Sequence, residues 1–513
     1  MGSILAGTLL LTATGLFAQV VGFFYRIALS RLIGAETMGL YQLVMPVYSV
    51  LLSLTAVGLT VAVSTLSAKH YALGDTGAVR LTLRRALSCF FLVAVPLGAV
   101  VILASDPISV YLIGDARTRL GIVLLVPCVL LTGVENLHKH CFYGIGRVRP
   151  PAASETVEQL VRAGAVLGLL VLLLPQTKEK TVGIIVAGMV VCEVCSAATL
   201  TFLFRRFWRR DPPGTPQDQV TRRQLFGIAL PVGATSLLGT LLGSANAVLI
   251  PARLVAGGMD SSQAMAQFGV ISGMTLPLLA LPTGFIGALC LVMVPDLARR
   301  TARGNHRAVG GFLDRVVSAT SLLMAPAMAL LAVVGPTIGR ALFQNEGVGE
   351  FILPLAVGTL LGCYQSVLGG ALNGLGLQGR GARNAILSDA AQLVCTWALV
   401  PRWGLAGFVF GFVLSAGVGA GLNLISVLCA AQLRAKVFVW FVRPVLAAVF
   451  MGAWCLLFFR VLLGAGCPEL WACALCVLLG LILYSAALLA QGLSVTDGLR
   501  HRREKETVGG KNP

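Results

Sequence analysis

Residues 4–31 read ILAGTLLLTATGLFAQVVGFFYRIALSR. A stretch this long and this apolar matches a hydrocarbon core of about 30 Å, because a helix rises about 1.5 Å per residue. Its polar residues are not scattered. Thr12, Gly15, Gln19, Gly22 and Arg26 recur at steps of three and four, one narrow stripe on a helix otherwise faced with Leu, Phe and Val. Similar segments follow along the chain. Cutting at charge clusters, Pro and Gly predicts fourteen spans, at 4–31, 37–67, 86–104, 119–142, 153–174, 181–204, 224–250, 263–293, 313–334, 351–373, 384–400, 404–431, 444–463 and 470–490. They read as helices, since barrel strands are shorter and alternate polar with apolar. With 57% hydrophobic residues, 12% charged and a mean hydropathy of +0.87, the chain is an all-α polytopic membrane protein. Soluble domains carry about twice that charge, so soluble enzymes and disordered or disulfide-built proteins are excluded.

The net charge of +18 comes from 39 Lys and Arg against 21 Asp and Glu. With the N-terminus placed in the cytoplasm, 28 of the 39 basic residues fall on inside connections and 9 on outside ones. That bias is the topology signal of a plasma-membrane protein with both termini cytoplasmic, and it leaves no case for nucleic acid as a partner. The C-x-x-C pairs Cys192/Cys195 and Cys473/Cys476 lie inside spans with no second pair nearby, so the 13 cysteines read as small buried hydrophobes. His138, Lys139 and His140 read as a solvated helix end, because histidines two apart point to different sides of a helix. No metal or other cofactor is expected. The first span starts without a basic n-region and runs too long for a cleavable signal.

The chain repeats itself. RLIGA at Arg31 returns as RLVAGG at Arg253, and YGIGRVR at Tyr143 returns as NGLGLQGR at Asn373. Six helices per copy give parallel repeats, related by an axis along the membrane normal with a cleft between them. The expected organisation is an N-lobe at 1–204, a basic linker at 205–223, a C-lobe at 224–431, two added helices at 432–490 and a basic tail at 491–513.

Ionisable residues at membrane depth mark candidate sites, because a charge at the bilayer centre costs about 3 kcal/mol or more. Arg26 shares the stripe of Gln19, and it either faces a cavity or snorkels to the headgroups; the same choice holds for Arg31. In the seventh span Asn246 precedes Arg253 by seven residues, as Gln19 precedes Arg26. Glu158 and Arg162 are spaced for an intrahelical pair, either self-satisfied or separating when a cleft opens. Glu135, Glu193 and Asp389 are further carboxylates in apolar surroundings, candidates for coupling or gating, or simply for bonding neighbouring helices.

Four stretches carry a resemblance: ENLHKHCFYGIGRVRPPAASETVEQLVR at 135–162, IPARLVAGG at 250–258, LPTGFIGALCLVMVPDLAR at 281–299 and NGLGLQGRGARNAI at 373–386. They resemble the stage V sporulation protein B group of the multidrug/oligosaccharidyl-lipid/polysaccharide (MOP) flippase superfamily, related to lipid II flippases. The resemblance implies a transporter and not an enzyme. Its cargo would be an undecaprenyl-diphosphate-linked sugar, moved from inner to outer leaflet for cell-wall, polysaccharide or spore cortex synthesis. Arg26, Arg31, Arg253 and Arg162 would then meet the diphosphate, and Gln19 and Asn246 the sugar. Partners would be that substrate, membrane lipids and cell-wall synthesis proteins, with coupling to Na⁺ or H⁺ left open. The alternative is a cation-coupled multidrug antiporter. It is disfavoured because neither the first nor the seventh span carries a buried carboxylate.

Overall fold

The computed structural model describes residues 2–210, 222–303, 306–432 and 436–490. The middle of the basic linker and the tail at 491–513 lie outside the described residues. The long helices are α1 (Gly2–Leu52), α2 (Gly58–Ala72), α3 (Thr76–Leu103), α4 (Arg119–Gly144), α5 (Arg149–Leu173), α6 (Lys178–Arg210), α7 (Arg222–Ala256) and α8 (Ser261–Gly269). They continue as α9 (Gly284–Ala302), α10 (His306–Phe343), α11 (Ile352–Gly374), α12 (Gln378–Trp403), α13 (Leu405–Ala431), α14 (Arg443–Gly464) and α15 (Glu469–Ala490), and no strand occurs among the described residues.

Among the described residues, twelve helical stretches are long and apolar enough to cross a membrane. The first of them, Leu10–Ala72, is broken at Gly34, so it supplies two of the fourteen predicted spans. The helix α12 supplies another, its apolarity lowered by Arg380, Arg383, Asp389 and Arg402. The predicted connection at 32–36 is therefore no loop. It is a kink at Gly34, whose φ of 75° and ψ of 171° suit a residue without a Cβ. Just past the kink, Glu36 binds Arg117 at 2.7 Å and also pairs with Lys178.

The repeated motifs turn out to be helix stops. After α4, Gly146 at φ 71° bonds back to the Tyr143 carbonyl and Arg147 N–H to Phe142. After α11, Gly376 at φ 78° bonds to Asn373 and Leu377 N–H to Leu372. Both are the paired-bond glycine termination that ends helices where the chain must turn sharply.

The chain divides into two compact units, Met1–Met274 with Asp389–Phe408, and Thr275–Ser388 with Val409–Pro513. In lipid there is little apolar driving force between helices, so close approach through small residues holds them together. In the first unit a Cβ on Gly39 would sit 2.1 Å from the Met265 carbonyl, and one on Gly269 would sit 2.0 Å from that of Ala35. Backbones of α1 and α8 thus touch directly. In the second unit Ala325 and Leu330 of α10 pack on Ala447, Ala448 and Met451 of α14 and on Tyr484 and Leu488 of α15. Leu446, Val449, Phe450 and Trp454 of α14 point outward, a surface suited to acyl chains.

Candidate functional site

Three helices of the first unit, α4, α5 and α6, bring five charged side chains into one buried cluster. The Lys139 ammonium lies 2.7 Å from Glu135 and 3.0 Å from Glu158. Arg162 Nη2 lies 2.5 Å from Glu158 and 3.3 Å from Glu193. The Glu135 and Glu193 carboxyls stand within hydrogen-bonding reach of each other, and Ser196 reaches Glu135. Glu135 and Glu193 are each only 1% exposed. Ser154 and Ser196 share a hydrogen bond of 3.0 Å beneath the cluster, and Cys192 Sγ donates to the Glu158 carbonyl. One Glu193 carboxyl oxygen and Arg162 Nε have no hydrogen-bond partner.

The predicted intrahelical pair Glu158–Arg162 forms, but as two members of this larger set. Lys139 corrects the reading of a solvated helix end. Its neighbour His138 is 4% exposed, with Nδ1 at 2.8 Å from the Val134 carbonyl, while Lys139 turns inward between two carboxylates. The signal was present in the sequence, since Glu135 and Lys139 are themselves four apart. Asp389 sits half-buried on α12, which contributes nothing to this cluster.

On α1, Arg26 is exposed and makes no ion pair among the described residues. A Cβ on Gly22, one turn earlier, would approach Gln159 of α5 at 3.9 Å, so this part of the stripe faces α5. Gln19 is half-buried and Arg31 exposed near the Gly34 kink. In α7, Asn246 accepts a hydrogen bond of 2.7 Å from Thr396, and Arg253 donates to the Trp397 carbonyl while lying over its ring at 4.9 Å. Both are thereby held by α12.

Two cavities of the first unit carry polar side chains that no sequence pattern brings together. One, of about 430 Å³, is lined by Gln42, Ser49, Thr240, Ser244 and Ser272 among others, so hydroxyl and amide groups of α1 and α7 face it. Such side chains donate and accept, as sugar hydroxyls require. The other, of about 720 Å³, is lined by Arg80 and Arg84 of α3, Arg205 and Arg209 of α6, and by Phe91 and Trp208 among others. Four guanidinium groups around one cavity suit a phosphate.

The second repeat carries a neutral counterpart of the charged cluster. Moving 230 residues on, Glu135 becomes Gln365, Ser154 becomes Asn384, Glu158 becomes Ser388, Arg162 becomes Gln392, Glu193 becomes Asn423 and Ser196 becomes Ser426. These positions also meet in space. In the second unit Asn384 donates at 3.0 Å to both Asn423 and Ser426, and Asn423 donates at 2.9 Å to the Gln365 main-chain carbonyl. The Ser154–Ser196 contact of the first repeat is thus matched by Asn384–Ser426 in the second.

Known proteins agree with this architecture. The chain is 24% identical to stage V sporulation protein B of Bacillus subtilis (strain 168) over 434 residues, 83% of each chain. It is 22% identical to the lipid II flippase MurJ of the same organism over 358 residues, 65% of each. Among solved structures, an inward closed lipid II flippase MurJ superposes with a TM-score of 0.72 at 12% identity, covering 93% of this chain and 98% of that one. An inward-facing multidrug resistance MATE transporter of the MOP superfamily gives 0.62 at 15% identity, covering 82% and 96%. Residues 4–299 match the polysaccharide biosynthesis protein family. The chain belongs to that family, and its fold is that of the MOP-superfamily transporters.

Proposed function

We propose that the protein is an alternating-access flippase for a sugar linked to a polyprenyl diphosphate, carried from the inner to the outer leaflet of the plasma membrane. The observation that carries this reading is a guanidinium on the first helix that pairs with no carboxylate. Arg26 on α1 has no carboxylate partner, whereas Glu135, Glu158 and Glu193 each contact Lys139 or Arg162. A spare guanidinium selects an anion, since arginine matches phosphate oxygens with two parallel hydrogen bonds. It disfavours the organic cations of a multidrug antiporter. The four arginines around the larger cavity add a second basic surface on the same unit. Similarity to stage V sporulation protein B over 83% of both chains supports a role in wall or spore cortex synthesis.

In this mechanism the repeats at 1–204 and 224–431 act as lobes that open alternately to the two sides. Both termini face the cytoplasm. Arg26, Arg31 and Arg162 receive the diphosphate, with Arg253 on α7 braced by Trp397. Gln19, Asn246 and the hydroxyl-lined cavity receive sugar. An anion leaving an inside-negative cell gains about 2.3 kcal/mol per charge per 100 mV, so a partly neutralised headgroup is drawn outward. The carboxylates Glu135, Glu158, Glu193 and Asp389 are the positions for coupling or gating, and wall-synthesis proteins are the expected partners.

The test is ATP-independent movement of a fluorescent lipid-linked oligosaccharide in proteoliposomes, set beside uptake of a cationic dye. Arg26→Ala should cut lipid movement about tenfold or more, the loss of one charge-assisted contact. Dye transport with unaltered lipid movement in Arg26→Ala, Arg31→Ala and Arg253→Ala would overturn the assignment.

A further inference from the structure

We propose that the α4–α6 cluster is a binding site for one exchangeable proton, shared between Glu135 and Glu193; this rests on the transporter reading above. Three carboxylates and two cations leave the set one negative charge in excess. The two carboxyls that face each other are both 1% exposed, and one oxygen of Glu193 has no donor. Two buried carboxylates at hydrogen-bonding distance do not both ionise. One proton makes the contact a hydrogen bond and brings the cluster to neutrality. A sodium ion fits poorly, because it needs several oxygen ligands and most carboxyl oxygens here already face Lys139 or Arg162.

The second repeat supplies the decisive control. Its helices use Gln365, Asn384, Ser388, Asn423 and Ser426 at the equivalent positions, hydrogen-bonded without a single charge. Uncharged side chains therefore suffice to join three such helices. Charge in the first repeat is not needed for packing, and it is costly to bury. What the charged set has and the neutral one lacks is the ability to take up and release a proton.

The surroundings are consistent with a single site. From α1 come Tyr25, Arg26, Tyr41 and Tyr48, with Tyr48 bonded to Thr132 at 3.0 Å. Helix α4 adds Cys128, Lys139, His140 and Tyr143, α5 adds Glu155, Glu158 and Arg162, and α6 adds Cys192. Glu193 takes the proton from water on one side and returns it to water on the other, with no redox partner. When the proton leaves, the excess negative charge draws on the same Arg26 and Arg162 that would bind a diphosphate, which links the two occupancies.

Infrared difference spectra of the full chain in lipid, recorded across a pH titration, read protonated carboxyls directly. The wild type should show one buried carboxyl band that disappears in Glu193→Gln and in the pair E135Q/E193N, which copies Gln365 and Asn423. The pair should remain folded, by melting in detergent, and its movement of a lipid-linked oligosaccharide should lose its response to an imposed pH gradient. Absence of the band in wild type, its survival in both variants, or its removal by Na⁺ at constant pH would overturn the proposal. Because the spectra need no cargo, a wild type that shows the band but moves no lipid-linked sugar would refute the flippase reading alone.

Discussion

The α4–α6 cluster and its counterpart on α11–α13 answer the same structural demand with different chemistry. Each repeat has to join three helices through polar side chains buried at matching positions. The first does so with Glu135, Lys139, Glu158, Arg162 and Glu193, the second with amides and hydroxyls from Asn384, Asn423 and Ser426. Buried ion sets rarely outperform neutral ones in stability, because desolvation offsets most of the attraction. The difference teaches that the two halves of a duplicated fold can share a scaffold while only one retains ionisable groups.

The largest expected effect comes from unbalancing the charged side. Lys139→Met removes one cation and leaves Glu135 and Glu158 facing each other, which should cost about 3–5 kcal/mol by denaturant unfolding in micelles. A cost below 1 kcal/mol would mean that the ammonium is not an integral member of the cluster. On the neutral side, Asn423→Ala deletes one acceptor and one donor but strands no charge. The expected loss is about 1–3 kcal/mol, measured in the same way. Equal losses in the two variants would erase the distinction between the clusters. Where the repeats share backbone geometry they should respond alike: Gly146→Ala and Gly376→Ala, each forcing a Cβ onto a left-handed residue, should each cost about 1–2 kcal/mol. Unequal melting shifts for that pair would show that the common turn is loaded differently in the two halves.

Much of this was legible beforehand. Apolar length gave the spans, and the two Gly-rich motifs revealed the duplication that the terminating glycines Gly146 and Gly376 explain. Of the stripe on the first helix, Gly22 faces α5, where a Cβ would approach Gln159 at 3.9 Å. Glu135, Glu158 and Glu193 were recognised one by one as costly at membrane depth, but nothing in their spacing showed that they meet. Lys139 was misread because it stands between two histidines near a helix end, where solvation is the ordinary fate of a lysine. The match of Glu135 to Gln365 or Glu193 to Asn423 carries no signal in the sequence, since acid and amide look unrelated until equivalent positions are found in equivalent contacts. The hydroxyls of Ser49, Thr240 and Ser272 carried no signal, being individually unremarkable in apolar helices.

What the sequence determined alone is the number and character of the membrane helices and the duplication, since hydropathy and helix stops are sums over neighbours along the chain. Which buried charges find one another was decided only by tertiary packing. Ion pairs and hydrogen bonds act over a few ångströms in space, and the residues concerned come from helices whose faces no local pattern can orient against each other.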